Sequence, residues 1–387
     1  MRIAIIVLNL DIGGTQRVSI DLANAFMNAN DEVHLITLGK KDILLKPSSE
    51  VSVHQFKLHE NLKKTVIAIP FLILSKILNL FIRKSLFISK GIMTSLLFKY
   101  KFSKLEKEYG KFDLLIFRGR SAYELVWMLK DSRILQAIDN MNVEVLDSYY
   151  EKIHAHLTLS SKNIVPISKE IEKKINTLIA TGNIKLNSLH TIYGPLNKKH
   201  ILELAKAYSI DFEEKYIVSI GRLAKVKNYE LLIKAYNYAF KNMNLKHKLV
   251  LVGDGELRKD LEELVRKYKL EDQVRFTGGL ENPYPWLMNA DLFITTSFSE
   301  GLGMTVLEAL ACNVKVVSTK SEGGVKEILK GELKEYMVDF SEEKIAKKIL
   351  DTLDEEKTWD FDKYIGEFLP EKIVNQYKKN YCDKISL

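Results

Sequence analysis

TTSFSEGLGMTVLEALAC, Thr295 to Cys312, is the stretch on which the reading of the whole chain turns. It follows the apolar run DLFI, Asp291 to Ile294, which has the length and composition of a buried strand. A short turn comes next, with Glu300, Gly301 and Gly303. A helical run, TVLEALA, then carries a second carboxylate at Glu308. Strand, glycine turn and helix make the repeating unit of a parallel α/β sheet, and ligands of such sheets gather at the carboxyl ends of the strands. Eight residues on one helix turn through about 800°, roughly 80° off register. Glu300 and Glu308 can therefore point the same way only if Glu300 lies in the loop. A carboxylate accepts hydrogen bonds from vicinal hydroxyls such as those of a ribose or hexose. The main-chain N–H groups of Gly301, Leu302, Gly303 and Met304, at the helix start, suit phosphate or sugar oxygens. Taken singly, Glu308 also reads as one half of a helix-face ion pair, and Glu300 as a loop carboxylate near a helix N-terminus.

Outward from this stretch the same alternation continues. Arg2–Leu8, Glu32–Leu38, Val51–Lys57, Asp113–Phe117, Ile134–Ile138, Ile164–Ile167 and Leu189–Tyr193 read as strands of a first half. After a turn at Gly194-Pro195, strands are expected at Tyr216–Ile220, Lys248–Val252, Val274–Phe276, Leu292–Thr295 and Lys315–Ser318. Helical runs lie between them, such as RVSIDLANAFMNA and Asn228–Lys241. The expectation is two doubly wound α/β domains, residues 1–194 and 195–368, with ligands held where strand ends meet an interdomain cleft.

Two more glycine turns fall at strand ends. Gly13-Gly14-Thr15 sits between a strand and a helix, where main-chain N–H groups and the helix dipole favour an anion; a glycine pair equally serves a tight turn. SIGRLAKVKN, Ser219 to Asn228, delivers Gly221, Arg222 and then Lys227. Two cations at a strand end can neutralise a diphosphate, arginine as a planar fork and lysine as a point charge. The alternative is a pair of solvated surface cations.

The chain has 387 residues, 46% of them hydrophobic and 28% charged, which is a globular composition. Its two cysteines, Cys312 and Cys382, make neither a disulfide framework nor a zinc spacing and suggest a reducing, cytoplasmic setting. The first residues, MRIAIIVLNL, read as a strand and not as a signal peptide. Charge is concentrated. From Lys57 to Lys104 ten positive residues face Glu60 alone, a net of +9 in a chain whose total is +8. The remainder is close to neutral, which argues against a nucleic-acid binder with distributed basic stripes. The same segment contains VIAIPFLILSKILNLFI, Val66 to Ile82, interrupted by Pro70 and Lys76. It is short for a spanning helix and fits an interfacial helix at an anionic membrane surface. A core helix followed by a solvated basic one is the alternative.

Together the motifs resemble the large family 4 of retaining glycosyltransferases, which have the GT-B fold. SFSEGLGMTVLEAL resembles the family's E-x7-E motif, GRLAKVKN its donor-phosphate motif and GGTQRV its amino-terminal glycine loop. FTGGLENPYPWLMNADLFITTS resembles the stretch from the nucleobase loop to the E-x7-E strand. IVPISKEI, with Ser168, resembles a structural strand-to-helix turn, and FLPEKIVNQYKKNY the last helix, which returns to the first domain. The matches occur in family order over residues 1 to about 320.

The resemblance implies two Rossmann-like domains facing each other across a cleft, with a final helix at about 369–387. It implies that Arg222 and Lys227 bind the donor diphosphate, that Glu308 takes the ribose, and that Glu300 contacts the donor sugar. Gly221, Gly301, Leu302, Gly303 and Met304 would add main-chain contacts. Gly278, Gly279 and Leu280 would hold the base, and Gly13 and Gly14 would approach the donor from the first domain. It implies a nucleotide sugar as donor, UDP-linked by family habit, with no metal and no other cofactor. The acceptor would be a glycan of the membrane-linked kind used in bacterial surface polysaccharides, at the cytoplasmic face of the inner membrane. One departure is clear. Where many relatives have a histidine after a strand near the acceptor, RILQAIDN has none, so Asp139 and the nearby Arg118 become the acceptor-side candidates. Asp360-Phe361-Asp362 has the form of a metal-binding Asp-x-Asp but lies outside the motifs. The rivals are a catalytically silent sugar-nucleotide or lipid-binding protein of this fold, which would not need both carboxylates, and a GT-B epimerase.

Overall fold

The computed structural model describes residues 1–11, 13–63, 68–81, 86–140, 146 and 148–382. Of the basic apolar stretch, Lys64, Val66, Ile67, Ile82, Arg83 and Lys84 lie outside the described residues. The chain divides into two compact units, Met1–Pro195 with Pro370–Leu387, and Leu196–Leu369.

The first unit is built on β1 (Arg2–Val7), β2 (Glu32–Thr37), β3 (Ser52–Gln55), β4 (Leu114–Arg118), β5 (Ile134–Ile138), β6 (Asn163–Pro166) and β7 (Ser188–Leu189). They form one parallel sheet in the order β3-β2-β1-β4-β5-β6-β7. The second unit holds β8 (Tyr216–Ile220), β9 (Lys248–Val252), β10 (Val274–Gly278), β11 (Leu292–Thr295), the short β12 (Ser299–Glu300), β13 (Val316–Thr319), the short β14 (Glu322–Gly323) and β15 (Met337–Val338). Its main sheet runs β10-β9-β8-β11-β13-β15, and β12 pairs with β14 in a separate ribbon. In both sheets the order reverses direction once, between β1 and β4 and between β8 and β11. Those reversals are the switch points at which doubly wound sheets open a crevice.

The strands read as apolar runs because both faces are covered. Ile3, Ile5, Leu35, Leu114, Ile116 and Leu135 form the first core with Phe26 of the helix Gly14–Asn28. The helix Pro370–Tyr381 adds Ile373, Val374 and Tyr377, whose ring lies 5.7 Å from Phe26. Ile217, Leu249, Leu251, Leu292 and Ile294 do the same in the second unit, beneath Leu232, Tyr236, Ile345 and Ile349. Each such side chain contributes about 1.5–3 kcal/mol by leaving water.

Two boundaries differ from the sequence reading. The first helix begins at Gly14 and not at Arg17, because the Arg17 N–H already bonds the Gly13 carbonyl at 3.0 Å. The strand expected at Leu189–Tyr193 shrinks to Ser188–Leu189 at the sheet edge, although His190 and Ile192 still donate to the carbonyls of Ile164 and Pro166. Among the described residues no helix is long and apolar enough to cross a membrane. The apolar insert forms the helices Ala68–Phe81 and Leu86–Tyr109.

Candidate active site

In the second unit the loops after β8 and β11 flank the switch point, and an ion pair joins them. Lys227 Nζ lies 2.6 Å from Glu300 Oε1. A 3₁₀ turn, Lys225–Lys227, followed by Asn228 in the left-handed region, sets Lys227 at this point before the helix Tyr229–Asn242 begins. Tyr229, buried beneath the loop, donates its hydroxyl to the Gly221 carbonyl at 3.1 Å. Arg222 is exposed, and among the described residues no carboxylate pairs with it. The loop after β11 is tied down from behind. Phe298 N–H bonds the Val226 carbonyl at 2.8 Å, and Thr296 Oγ1 donates to the Asn228 carbonyl at 2.9 Å.

Three supports of this loop were not evident from sequence. Ser297 is fully buried and donates its hydroxyl to Glu300 Oε1 at 2.6 Å, so the carboxylate oxygen is held from two sides. The β14 segment clamps the turn. Ser299 and Glu300 pair with Glu322 and Gly323, and Gly324 N–H bonds the Gly301 carbonyl at 3.2 Å. Gly323 sits at φ +101°, where an added Cβ would lie 1.6 Å from the Glu300 carbonyl oxygen, so a side chain there would push the Glu300 turn away. The third support is Tyr284, whose hydroxyl donates to Glu308 Oε1 at 3.2 Å. Glu308, inside the helix Met304–Ala311, is thereby oriented although largely buried. The glycine pair after the run VVST was the available signal for the clamp; nothing local marked Ser297 or Tyr284.

Gly301, Leu302 and Gly303 make the turn and Met304 opens the helix. The Leu302 side chain is buried, so that residue offers only its main chain. Gly278 closes β10, with Gly279 and Leu280 following at the surface or half-buried. These residues are continuous with Gly221 through Gly253. Gly253 N–H bonds the Gly278 carbonyl at 2.9 Å, and a Cβ on Gly253, at φ +148°, would meet the Gly221 carbonyl oxygen at 2.0 Å. The loop ends of β10, β9, β8 and β11 thus form one rim bearing Gly278, Gly221, Arg222, Lys227 and Glu300.

In the first unit Gly13 precedes the helix Gly14–Asn28, and a Cβ built on Gly14 would meet nothing within 4 Å, which leaves that helix start open. Arg118 is the last residue of β4 and only 2% exposed. Its Nη2 donates to Asp139 Oδ1 at 2.5 Å, while among the described residues its Nε meets no acceptor. Burial pushes the Asp139 carboxyl up, against the opposing pull of the Arg118 charge. Burial likewise pushes the nearby Tyr377 phenol up to about 12. Arg118 is thus buried against Asp139, and its Nη1, like its Nε, meets no acceptor among the described residues. The Asp-x-Asp carboxylates have local partners: Asp360 caps the helix Phe361–Ile365, and Asp362 lies 2.5 Å from Lys198 Nζ.

Two doubly wound sheets, with a cation–carboxylate pair at the second switch point, are the architecture of the GT-B class. The comparisons bear this out. Residues 201–367 match the family model described as Glycosyl transferases group 1. The chain is 26% identical over 331 residues to the N-acetylgalactosamine-N,N'-diacetylbacillosaminyl-diphospho-undecaprenol 4-alpha-N-acetylgalactosaminyltransferase of Campylobacter jejuni, covering 84% of this chain and 83% of that one. It is 30% identical over 196 residues to the N-acetyl-alpha-D-glucosaminyl L-malate synthase of Bacillus anthracis, covering 48% and 50%. Among solved structures, HepE of Anabaena in complex with UDP aligns over the whole of both chains with a TM-score of 0.65 at 16% identity. The sucrose-phosphate synthase of Thermosynechococcus elongatus aligns over 100% and 97% with a TM-score of 0.66 at 17% identity. Residues 201–367 thus carry the group 1 glycosyltransferase signature, and the chain has the GT-B fold.

Proposed function

We propose that this glycosyltransferase moves a hexose or N-acetylhexosamine from a UDP-sugar to a lipid-linked glycan, with retention at the anomeric carbon and without a metal ion. The observation that carries the reading is the switch-point rim of the second unit, where exposed Arg222 stands beside the Lys227–Glu300 pair. Arg222 and Lys227 take the donor diphosphate. Lys227 spends one N–H on Glu300 and has two left for phosphate oxygens. As the anomeric bond breaks, negative charge grows on the nucleoside diphosphate. Cations fixed in advance stabilise it without reorganisation, which is the role a divalent ion plays in other folds. Glu300, held by Ser297, receives the donor-sugar hydroxyls. Glu308, held by Tyr284, receives the ribose. The loop Gly278–Leu280 holds the base, and the main chain of Gly301–Met304 meets sugar and phosphate oxygens. In the first unit Gly13 and Gly14 offer N–H groups to the donor, and Asp139, oriented by Arg118, faces the acceptor. The relative from Campylobacter jejuni carries diphospho-undecaprenol in its name, which supports a lipid-linked acceptor and a place at the cytoplasmic face of the inner membrane.

The test is thermal unfolding of wild type and Arg222→Ala against UDP- and GDP-sugars, with and without EDTA. A ligand at 100 times its Kd adds about 2.7 kcal/mol of stability. The expected result is a shift with one UDP-sugar, unchanged by EDTA and lost in Arg222→Ala. No shift with any nucleotide would sink the donor site, and a shift abolished by EDTA would sink the metal-free reading. Nuclear magnetic resonance of the product's anomeric proton then checks retention.

A further inference from the structure

The helix Ala68–Phe81 is built inside out. Ser75 is buried at 1% exposure, whereas Ile73 is 56%, Ile77 47%, Leu80 82% and Phe81 83% exposed. At 100° per residue these four apolar side chains lie within an arc of about 100°, and Ser75 stands roughly opposite its centre. Pro70, also exposed, falls inside the arc, and exposed Lys76 borders it. A helix that faced water would turn Ser75 out and these residues in. A scattered exposed Leu needs no explanation, but a continuous apolar ridge does.

The neighbouring helix, Leu86–Tyr109, packs against it and carries the charge. Its exposed stripe reads Leu96, Lys99, Tyr100, Ser103, Lys104, Lys107 and Glu108, spaced three and four apart. Lys104 Nζ lies 4.5 Å from the centre of the Tyr100 ring, so a cation is stacked on an aromatic side chain at the surface. The segment from Lys57 to Lys104 has a net charge of +9. An apolar ridge beside lysines and a tyrosine, with acid confined to Glu106 and Glu108 at the far end of the second helix, is complementary to the headgroup layer of an anionic bilayer. It suits a second protein surface poorly unless that surface were strongly acidic.

We infer that this helical hairpin seats the enzyme on an anionic lipid surface, with Ile73, Ile77, Leu80 and Phe81 entering the acyl boundary and Lys99, Lys104 and Lys107 meeting lipid phosphates. The inference deepens the reading of a lipid-linked acceptor, on which it rests for its setting. It adds the surface through which that acceptor's membrane is met.

Flotation with vesicles tests it, using pure phosphatidylcholine and a 1:1 mixture with phosphatidylglycerol. Wild type floats with the anionic vesicles and not with the neutral ones. Ile77→Ser with Leu80→Ser lowers the bound fraction at least ten-fold at any salt. Lys99→Ser with Lys104→Ser lowers it several-fold, chiefly at low salt, where unscreened charge matters most. UDP-induced thermal shifts on the same samples stay at the wild-type value, which also shows that the variants fold. Absence of flotation in a wild type that still responds to UDP overturns the inference and leaves the donor site standing. Flotation without any UDP response does the reverse. A wild type that self-associates through this ridge, made monomeric by the double serine variant and indifferent to lipid, also overturns it.

Discussion

Each sheet places an arginine beside its switch point, at the end of β4 in the first unit and after β8 in the second, and the two differ in exposure. Arg118 ends β4, still inside the ladder, and turns into the unit against Asp139. Arg222 comes after β8 and beyond Gly221, outside the ladder, and stands in water. Arg118 is the last residue of its strand and buried, whereas Arg222 lies two residues past its strand and is exposed. The carboxylates follow suit. Asp139 is neutralised from within the fold, while Glu300 pairs with Lys227, whose side chain is 21% exposed. The first unit repeats its habit at Lys162, only 8% exposed, whose ammonium donates to the carbonyls of Trp127 and Leu129.

The sharpest way to break this contrast is to remove the buried guanidinium. Arg118→Met leaves Asp139 without its charge partner, and breaking such a pair costs about 3–5 kcal/mol. Arg222→Ala, at the surface, changes stability by less than about 0.5 kcal/mol. Urea unfolding of both measures the difference. Adding Asp139→Leu to Arg118→Met recovers most of the loss, because no lone buried charge then remains. Equal costs for the two arginine variants would erase the distinction.

A pH titration sharpens the comparison further. Burial, with the charge of Lys130 adding to it, pulls the Lys162 ammonium down to about 8 from an unfolded value of 10.5. The folded state therefore sheds this proton first. The stability cost of the buried charge is fully present below pH 8 and is relieved as pH rises to 10.5, for a gain of up to about 3 kcal/mol. Lys162→Met abolishes that rise. A wild-type curve that is flat or falling relative to the variant over this window contradicts the assignment.

The smallest effect belongs to Ser297, which touches no ligand and acts through Glu300. Ser297→Ala removes a charge-assisted hydrogen bond and lowers kcat/KM about ten-fold, or 1.4 kcal/mol, with the UDP-induced thermal shift nearly intact. If the donor shift vanished instead, Ser297 would be holding the whole loop and not orienting one carboxylate.

Much of this was legible in the chain. β5, β8, β9 and β11 fall on the runs that apolar pattern marked, and the glycine turns lie at strand ends, because burial on both sheet faces writes itself into consecutive residues. Glu308 lies in a helix as read, while Glu300, read as a loop residue, forms the short β12 with Ser299. That Arg118 turns inward onto Asp139 was not legible, since the sequence shows that an arginine ends a strand but not which way it turns.

Local pattern therefore sufficed for the wound α/β halves, the cations and carboxylates of the donor rim and the concentration of charge between Lys57 and Lys104. Long-range pairing supplied the rest. Glu322–Gly324 meets the Glu300 turn some twenty residues away, Tyr284 reaches Glu308, Arg118 finds Asp139, and Ser75 is drawn inward while Leu80 is left out. Each of these depends on which segments pack together, and hydrophobic spacing within a single segment carries no information about its neighbour in space.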